Sequence, residues 1–316
     1  MIQNEYPKIA LGTWSWGTGA AGGDQVFGNN LSANDLKEVF SKAMNAGLRL
    51  WDTAAVYGMG ASENILGELS KEYDRDGFIL STKFTPQIAN DTPHCMNDML
   101  NESCKRLCTD CIDIYWIHNP MDVEKYTPML IPLLKEGKVK AVGVSNHNLN
   151  EIKRANEILA AEGFAVSAVQ NHYSLLYRSS EEAGILDYCH RNGITFFAYM
   201  VLEQGALSGK YDTAHPMPEG SGRGMTYNSQ LPQIEKLVNA MREIGEAHHV
   251  SVAQVAIAWA IAKRTLPIIG VTKPEQVDSA AKAALVELST EEIGRIENAA
   301  AQTGVQTRGS WEKPMI

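Results

Sequence analysis

Four ionisable side chains follow apolar runs of this chain, and their chemistry suits proton transfer. Asp52 and Tyr57 lie in the stretch RLWDTAAVYGMG, Lys83 ends the run FILSTK, and His118 ends the run IDIYWIH. A lysine ammonium beside a phenol is expected to lower the pKa of the phenol, because the positive charge favours phenolate. A carboxylate would keep that lysine charged, and a histidine could orient a polar oxygen from the other side. Such a set can donate a proton to a carbonyl oxygen that becomes an alcohol.

Taken singly, each of these residues also fits an ordinary structural role. Asp52 could cap a turn, Lys83 could be a solvated charge, His118 could be a hydrogen-bonded core histidine, and Tyr57 could pack at an interface. What favours a chemical role is the set as a whole. Several ionisable groups that end separate apolar runs are expected to converge on one edge of a sheet.

Eight short apolar runs recur along the chain and are interpreted as strands. Runs this continuously apolar are typical of strands that are buried on both faces of a parallel sheet. The predicted strands cover residues 8–14, 48–52, 78–83, 112–118, 139–146, 166–171, 194–199 and 266–270.

Segments with the periodicity of amphipathic helices lie between these runs. Residues 34–47 form one predicted helix that stops at Gly47, and residues 62–73 form another, with Ser62 as its N-cap. Eight strands that alternate with helices predict an α/β fold, a (β/α)8 TIM barrel that forms a single domain over residues 1–316. A doubly wound open sheet is the alternative, but no predicted strand is followed by a G-x-G-x-x-G turn.

In a barrel of this kind, the chemistry lies at the carboxyl ends of the strands. Nearly every predicted strand of this chain ends there in a group that can ionise or form hydrogen bonds. Three rim loops are expected at about 17–32, 212–230 and 303–316. The second is predicted to be a long mobile loop, and the second and third could fold over the site.

The composition indicates a soluble globular protein and argues against two classes of partner. Hydrophobic residues make up 44% of the 316 positions, charged residues make up 21%, and the formal net charge is −9. Nucleic acids and anionic membrane surfaces both attract basic segments, so neither is an expected partner. No apolar run approaches the roughly 20 residues of a membrane span, and the N-terminus lacks the pattern of a signal peptide.

The cysteines indicate a reducing cytoplasm, because five of them in a chain of this length do not make a disulfide framework. Three have the spacing Cys104-x3-Cys108-x2-Cys111, which matches the cluster-binding motif of radical enzymes. Cys104 and Cys108 fall on a predicted helix, however, and Cys111 opens a predicted buried strand. Free cysteine in such places behaves as a small apolar residue, so we expect no metal site.

Seven stretches of the chain, taken in order, resemble the aldo-keto reductase family. WDTAAVYGMGASENILG is similar to its aromatic, Asp-Thr-Ala and Tyr-Gly pattern, STKF to its lysine strand, and TDCIDIYWIHNP to its histidine strand. GVSNHN, VQNHYSLL, YMVLEQGALSGKY and IIGVTKPEQV are similar to its cofactor-binding stretches. The resemblance runs from about residue 8 to about residue 280. It implies the barrel, with Tyr57 as the general acid, Asp52 and Lys83 as the groups that tune it, and His118 as the residue that orients the substrate carbonyl.

The same resemblance implies a nicotinamide cofactor, NADPH/NADP, bound without a Rossmann motif. Ser145, Asn146 and Gln170 would hold the carboxamide, since amides and a hydroxyl supply donors and acceptors in fixed places, and Tyr199 would stack on the nicotinamide ring. Five residues would line the pyrophosphate path: Leu202, Gly205, Leu207, Gly209 and Lys210. The adenosine end would be held by Gly270, Thr272, Lys273 and Gln276. The remaining predicted cofactor contacts are Thr13, Trp14 and Asp52.

Two departures from the family pattern concern the cofactor. Met200 and Val201 follow Tyr199 where the family usually has Ser-Pro, and Ser279 and Ala280 stand where it has Glu-Asn. Either the affinity for the cofactor is lower than usual, or other residues compensate.

The overall prediction is the NADPH-dependent reduction of a small-molecule aldehyde or ketone. Lys273 lies where the family holds the phosphate of the adenosine ribose, which predicts a preference for NADPH over NADH. Two alternatives are a cofactor-sensing regulatory subunit that resembles the potassium-channel β subunits, and a Schiff-base lyase that uses Lys83. Tight NADPH binding without a lyase reaction would separate them.

Overall fold

Eight parallel strands close into a barrel in the computed structural model, which describes residues 6–315. In chain order the strands are β1 (Ala10–Gly12), β2 (Leu50–Asp52), β3 (Ile79–Phe84), β4 (Ile112–Ile117), β5 (Val139–Ser145), β6 (Ala168–His172), β7 (Thr195–Tyr199) and β8 (Leu266–Gly270). Each strand pairs with the next one in the sequence, and β8 pairs with β1 to complete the ring. The prediction of a (β/α)8 barrel with these eight strands is confirmed.

Helices connect the strands and form the outer layer. The α-helices are α1 (Gly23–Phe27), α2 (Ala33–Asn45), α3 (Ala61–Ser70), α4 (Cys95–Leu107), α5 (Val123–Tyr126), α6 (Leu130–Lys135), α7 (Leu149–Ala160), α8 (Ser179–Glu182), α9 (Ile185–Asn192), α10 (Gly222–Tyr227), α11 (Leu231–His248), α12 (Val252–Ala262), α13 (Pro274–Ala283) and α14 (Thr290–Ala301). Short 3₁₀ turns occur at Tyr57–Gly60, Arg75–Gly77, Pro86–Ile88, Thr127–Met129, Glu203–Ser208 and Asn228–Gln230. Within residues 6–315, no helix combines the length and hydrophobicity needed to cross a bilayer.

The two predicted helices are present as α2 and α3, but the predicted N-cap of α3 is wrong. Ser62 lies inside the helix, which begins one residue earlier, after Gly60. The buried Ser62 hydroxyl lies 2.7 Å from the Thr13 hydroxyl and 3.1 Å from the Thr53 hydroxyl. These three hydroxyls join the ends of β1 and β2 to the helix that follows the Tyr57 turn.

The segment 212–230 is partly helical, so the prediction of a loop throughout is wrong. Ser221 caps α10 by accepting a hydrogen bond from the backbone N–H of Gly224 at 3.1 Å. The helix ends at Tyr227, whose side chain is buried. Two glycines in this short helix weaken its pattern, because glycine is a poor helix former. The first rim loop contains the short helix α1, and the third has no helix over the described residues 303–315.

Alternation along the strands divides the interior into two apolar clusters. The larger cluster lies between the barrel and the surrounding helices. The smaller one fills the barrel itself and consists of Ala10, Leu50, Ile114, Trp116, Ala168, Phe197 and Leu266. Residues two positions farther along the same strands face inward as well, and they lie nearer the carboxyl-end mouth of the barrel.

Trp116 is the largest side chain inside the barrel, and its position depends on Gly143. The two residues are partners in the β4–β5 pairing. A methyl group on Gly143 would lie 2.4 Å from ring atoms of Trp116 and 2.8 Å from the backbone oxygen of Ala168. Only a residue without a side chain leaves room for the indole, which donates a hydrogen bond to Ser81 Oγ at 2.6 Å.

Gly143→Ala should therefore destabilise the protein. Overpacking of a buried site costs about 1–3 kcal/mol, and urea unfolding of the two proteins measures the difference. Gly294→Ala is the matched control, because the added methyl group there has no neighbour within 4 Å apart from the adjacent backbone of its own helix, α14. Equal unfolding midpoints for Gly143→Ala and the wild type would contradict this account of the barrel interior.

Candidate active site

Polar side chains from six consecutive strands point into the mouth of the barrel. They lie at the carboxyl ends, on the inward face, in register with one another. They are Asp52 on β2, Ser81 and Lys83 on β3, His118 just after β4, Ser145 on β5, Gln170 and His172 on β6, and Tyr199 on β7.

Asp52 and Lys83 form an ion pair that is closed off from solvent. Lys83 Nζ donates to Asp52 Oδ2 and to the backbone oxygen of Thr53, both at 2.6 Å. Ser81 Oγ and Gln170 Nε2 donate to the other carboxylate oxygen at 2.7 and 3.1 Å. Burial by itself lowers the pKa of Lys83, but the Asp52 charge and the Tyr57 phenol together outweigh it, so the pKa ends above its usual value. Lys83 is therefore a fixed cation.

Tyr57 lies above this ion pair, at the start of a tight turn after β2. Its ring stacks on Trp14, with centroids 5.7 Å apart, and Lys83 Nζ lies 5.0 Å from the ring centroid. Burial raises the pKa of Tyr57 and outweighs Lys83, which lowers it. The expected fall in this pKa is thus wrong in its net direction, although the lysine acts with the expected sign. The phenol keeps its proton at neutral pH.

His118 presents a neutral imidazole beside the phenol. Its ring centroid lies 5.9 Å from that of Tyr57, and its Nδ1 lies 2.9 Å from the Thr85 hydroxyl. Burial holds the pKa of His118 well below its usual value, and the Lys83 charge lowers it further. Among residues 6–315, no protein group is hydrogen-bonded to its Nε2. That nitrogen can therefore bind an oxygen placed over Tyr57.

The residues predicted to hold a carboxamide are buried and lie next to this group. Asn146 is already engaged: its Nδ2 donates to the backbone oxygen of His118 at 3.0 Å, and its Oδ1 lies 2.5 Å from the Tyr199 hydroxyl oxygen. Within the described chain, the Gln170 side-chain oxygen has no hydrogen-bond partner. Gln170 and Ser145 are thus better placed than Asn146 for new hydrogen bonds.

The residues predicted to line a pyrophosphate path follow β7. Gly205 and Gly209 have φ values of +109° and +74°, a backbone conformation that favours glycine. The Leu207 side chain is fully buried. Leu202 is partly buried and Lys210 is exposed. Leu207 can therefore contribute only backbone atoms to a ligand site.

Arg223, on α10, was not predicted as a site residue. Its Nη1 donates to the backbone oxygen of Gln204 at 3.4 Å, and its guanidinium lies 5.4 Å from the Tyr211 ring centroid. Its Nε is buried without a hydrogen-bond partner, and no carboxylate of the described residues pairs with it. A buried cationic donor without an acceptor, beside Gly205, suits an anionic ligand. Arg223 was not predicted because residues 212–230 were interpreted as a mobile loop.

The residues predicted for an adenosine end lie around the start of α13. Gln276 Oε1 accepts hydrogen bonds from the backbone N–H groups of Thr272 and Lys273, at 2.6 and 3.0 Å. Gln276 thus caps the helix, a role that was not predicted. Gly270 and Lys273 are exposed, and in the described part of the chain no carboxylate pairs with Lys273. Its ammonium adds to the partial positive charge of the helix N-terminus, a favourable setting for phosphate.

Asp52 has been described above; of the other two predicted contacts, Thr13 and Trp14, only Trp14 is available to a ligand. Thr13 is fully buried, and its hydroxyl lies 2.7 Å from Ser62 Oγ. Trp14 is partly buried between Tyr57 and Trp311, with the two indoles 5.9 Å apart and nearly perpendicular. The wall next to Tyr57 is therefore aromatic and includes one residue of the C-terminal segment.

The cysteine motif considered above has no metal-binding arrangement in the described residues. All five cysteines are free thiols, and residues 6–315 contain no group of three His, Cys, Asp or Glu side chains that could hold a metal ion. Burial raises the pKa of Cys104 to about 11, so this thiol stays protonated.

Comparison with known proteins decides the family. The model described as the aldo/keto reductase family matches residues 8–301. The chain belongs to the aldo/keto reductase family. It is an NAD(P)H-dependent oxidoreductase, and members of the family act on small carbonyl substrates.

Individual relatives cover nearly the whole of this aldo-keto reductase. Pyridoxal reductase, chloroplastic, of Arabidopsis thaliana is 29% identical over 313 residues, which is 93% of this chain and 83% of the relative. Aldo-keto reductase yakc of Schizosaccharomyces pombe, whose name specifies NADP(+), is 30% identical and covers 90% of this chain and 87% of its own. The glycerol dehydrogenase from Gluconobacter oxydans, 24% identical, shares the fold with a TM-score of 0.81 over 96% of this chain and 94% of its own.

This aldo-keto reductase also holds three buried ionisable residues that sequence reasoning missed. His172 Nε2 lies 2.9 Å from Glu203 Oε1, and His172 Nδ1 lies 3.0 Å from Glu312 Oε1. The alternation of inward-facing and outward-facing side chains along β6 could have identified His172, because it faces inward two positions after Gln170. Glu203 and Glu312 carry no local signal, since their partners are distant in the sequence.

The charge of His172 makes the stability of the reductase depend on pH. Burial lowers the pKa of His172, but the two carboxylates outweigh it and raise the pKa to about 9, from 6.5. This contribution is complete below pH 6.5 and is lost as the pH rises through 9. The rise in pKa corresponds to on the order of 3 kcal/mol.

Urea unfolding between pH 6 and pH 9.5 should show this loss in the wild type. Glu312→Gln should show a smaller loss, because one of the two carboxylates that raise the pKa of His172 is gone. Identical pH dependence in the two proteins would contradict the assignment of the charge to His172.

Proposed function

We propose that this chain catalyses the NADPH-dependent reduction of an aldehyde or ketone, with Tyr57 as the general acid. The observation that carries the proposal is the protonated phenol of Tyr57, which lies between the fixed ammonium of Lys83 and the neutral imidazole of His118. A substrate oxygen in reach of both Tyr57 and His118 Nε2 would be hydrogen-bonded from two sides. That arrangement positions a carbonyl for protonation.

The bound cofactor would supply a hydride to the carbonyl carbon. As negative charge develops on the carbonyl oxygen, Tyr57 gives up its proton, and the Lys83 ammonium stabilises the phenolate that is left. Asp52 keeps Lys83 in place and charged throughout, through the 2.6 Å contact. His118, neutral because its pKa is lowered, offers a hydrogen bond to the carbonyl and does not compete as an acid.

The residues present fit a cofactor of this chemistry. An unpaired cationic donor, Arg223 Nε, lies beside the turn predicted to follow the pyrophosphate. Lys273, free of carboxylates in the described residues, lies at a helix N-terminus where a ribose phosphate is expected. Ser145 and Gln170 supply a hydroxyl and an amide oxygen near Asp52. The name of the fission-yeast relative, which specifies NADP(+), supports the choice of cofactor.

The geometry argues against a Schiff-base lyase. Imine formation requires an unprotonated lysine amine. Lys83 is paired with Asp52 and donates a second hydrogen bond to a backbone oxygen, and its pKa is raised. The amine is thus held in its charged form.

The free thiols support the proposed reducing compartment, the cytoplasm.

Tyr57→Phe should fold and bind NADPH yet lose most carbonyl reduction. Loss of a positioned general acid lowers the rate by about 10²–10⁴-fold. Stopped-flow or steady-state NADPH absorbance over a panel of aldehydes and ketones measures this, and fluorescence titration measures cofactor binding. Tyr188→Phe is the matched control, because Tyr188 lies on the outer helix α9. Near-full turnover by Tyr57→Phe on every substrate would exclude this residue as the acid.

The two unpaired cations should affect the cofactors differently. Lys273→Met should weaken the binding of NADPH but hardly that of NADH, because only NADPH carries the ribose phosphate. Arg223→Met should weaken the binding of both cofactors by a similar factor. A charge-assisted hydrogen bond suggests about a tenfold loss in each case. Dissociation constants for both cofactors test the pair of variants.

Lys71→Met serves as the control for these charge changes, because this exposed lysine follows the far end of α3. Equal affinities of the wild type for NADPH and NADH, or an unchanged ratio in Lys273→Met, would refute the proposed preference. If the ratio of NADPH affinity to NADH affinity changed equally in Lys273→Met and Arg223→Met, the separate roles proposed for the two residues would be refuted.

A further inference from the structure

His172, Glu203 and Glu312, which we call the His172 cluster, form a buried charged group beside the proposed cofactor site. All three side chains are fully shielded from solvent. Each ring nitrogen of His172 lies within 3.0 Å of a carboxylate oxygen. A neutral imidazole can donate from only one nitrogen, so two carboxylate partners require the doubly protonated cation. The cluster therefore places an imidazolium between two carboxyl groups.

The cluster joins three parts of the chain that are far apart in sequence. Glu203, which follows β7, accepts hydrogen bonds from Tyr227 on α10 at 2.6 Å and from Thr307 in the C-terminal segment at 3.1 Å. It also accepts one from Ser174, just after β6. Two of the three rim segments are thereby tied to the barrel at a single point.

Glu312 extends the cluster to Tyr199. The Tyr199 hydroxyl donates to Glu312 Oε1 at 2.7 Å and lies 2.5 Å from Asn146 Oδ1. One face of the Tyr199 ring stacks on His172, with centroids 5.5 Å apart and planes at 27°. Tyr177 also stacks on His172, with ring centroids 4.3 Å apart.

These contacts fix the ring of Tyr199 in one orientation. Asn146, Glu312 and Trp311 lie within hydrogen-bond distance of its hydroxyl. One face of the ring is covered, yet the residue is only partly buried. A planar group could therefore stack on the second face without rearranging the ring. Preorganisation of this kind favours binding, because no conformational freedom has to be lost at that step.

We infer that Glu312 is a positioning residue for the nicotinamide end of the cofactor, acting through the hydroxyl of Tyr199 and the ring of His172. This inference rests on the proposed function, in which Tyr199 is the stacking surface. It assigns to the C-terminal segment a direct part in cofactor affinity, separate from its contact with Trp14.

A purely structural role is the competing explanation, in which Glu312 only holds the C-terminal segment against the barrel. The same segment has a second tie that tests this. Lys313 Nζ donates to the backbone oxygen of Pro120 at 2.6 Å and lies 3.3 Å from Glu151. That tie reaches neither Tyr199 nor His172. Lys313→Met therefore removes this tie and leaves in place Trp311 and Glu312, the residues of the segment that contact Tyr199.

The experiment compares the wild type, Glu312→Gln, Lys313→Met, Tyr199→Phe and the Glu312→Gln/Tyr199→Phe double variant. NADP⁺ and NADPH dissociation constants are measured by calorimetry or protein fluorescence, and hydrogen exchange of residues 305–315 is followed without cofactor. Glu312→Gln should bind both cofactors about tenfold more weakly, because the hydrogen bond from Tyr199 then goes to a neutral amide oxygen and is no longer charge-assisted. At saturating cofactor its kcat should stay within about threefold of the wild type, since the proton-transfer residues are untouched.

Two comparisons decide the inference. Exchange of residues 305–315 should rise in both Glu312→Gln and Lys313→Met, but only Glu312→Gln should lose affinity. In the Tyr199→Phe background, Glu312→Gln should have at most about a threefold further effect, as expected for residues that act as one unit. If Glu312→Gln does not fold, a loss of affinity in Tyr199→Phe, which keeps the ring and both carboxylates, supports the inference, and unchanged affinity overturns it.

The contrary outcomes separate this inference from the proposed function. Equal losses of affinity in Glu312→Gln and Lys313→Met, independent effects of Glu312→Gln and Tyr199→Phe, or no loss at all would overturn the positioning role alone. A wild type that binds neither NADP⁺ nor NADPH would overturn the proposed function, and this inference with it.

Discussion

The buried ion pair between Lys83 and Asp52 is the constraint on which the rest of the site depends. Charges removed from water are stabilised only when close geometry and further hydrogen bonds replace their hydration. Here Thr53 supplies a backbone oxygen to the ammonium, and Ser81 and Gln170 supply donors to the carboxylate. Since these groups come from β2, β3 and β6, the pair needs strands on both sides of the barrel to be in register.

The requirements of this ion pair reach into the apolar interior. Ser81 can donate to Asp52 in a fixed direction because its oxygen accepts a hydrogen bond from the Trp116 indole at 2.6 Å. Trp116 can lie there only because Gly143 has no side chain. A glycine on β5 and a tryptophan on β4 thus help to orient a carboxylate on β2. Packing and chemistry are parts of one arrangement in this barrel.

Much of the fold and of the central site could be predicted because both follow from alternation within strands. Asp52, Lys83 and His118 end apolar runs, and parallel strands bring such ends together. Contacts made by distant segments could not be predicted in this way. The free Nε of Arg223 depends on how its loop folds back, and the partners of Glu203 and Glu312 depend on where the C-terminal segment lies.

The direction of the pKa shift of Tyr57 could not be predicted for the same reason, because it depends on contacts with distant segments. The effect of Lys83 on the Tyr57 phenol could be inferred from residue types, because a nearby cation favours phenolate. Burial opposes that effect, and burial depends on Trp14 and on the surrounding loops, which local sequence does not reveal. The net rise in the pKa of Tyr57 is therefore a tertiary property.

Tyr57 and Tyr199 both lie at the mouth of the barrel, and their surroundings give the two phenols opposite chemistry. The Tyr199 hydroxyl donates to the Glu312 carboxylate, and burial together with that negative charge raises the pKa of Tyr199 well above its usual range. Loss of its proton would leave a phenolate against a carboxylate, so Tyr199 is suited to a fixed structural surface. Tyr57 faces the Lys83 ammonium instead, and a phenolate formed there would be stabilised by the adjacent positive charge. The sign of the neighbouring charge thus separates the tyrosine that can give up a proton from the one that can only hold a position.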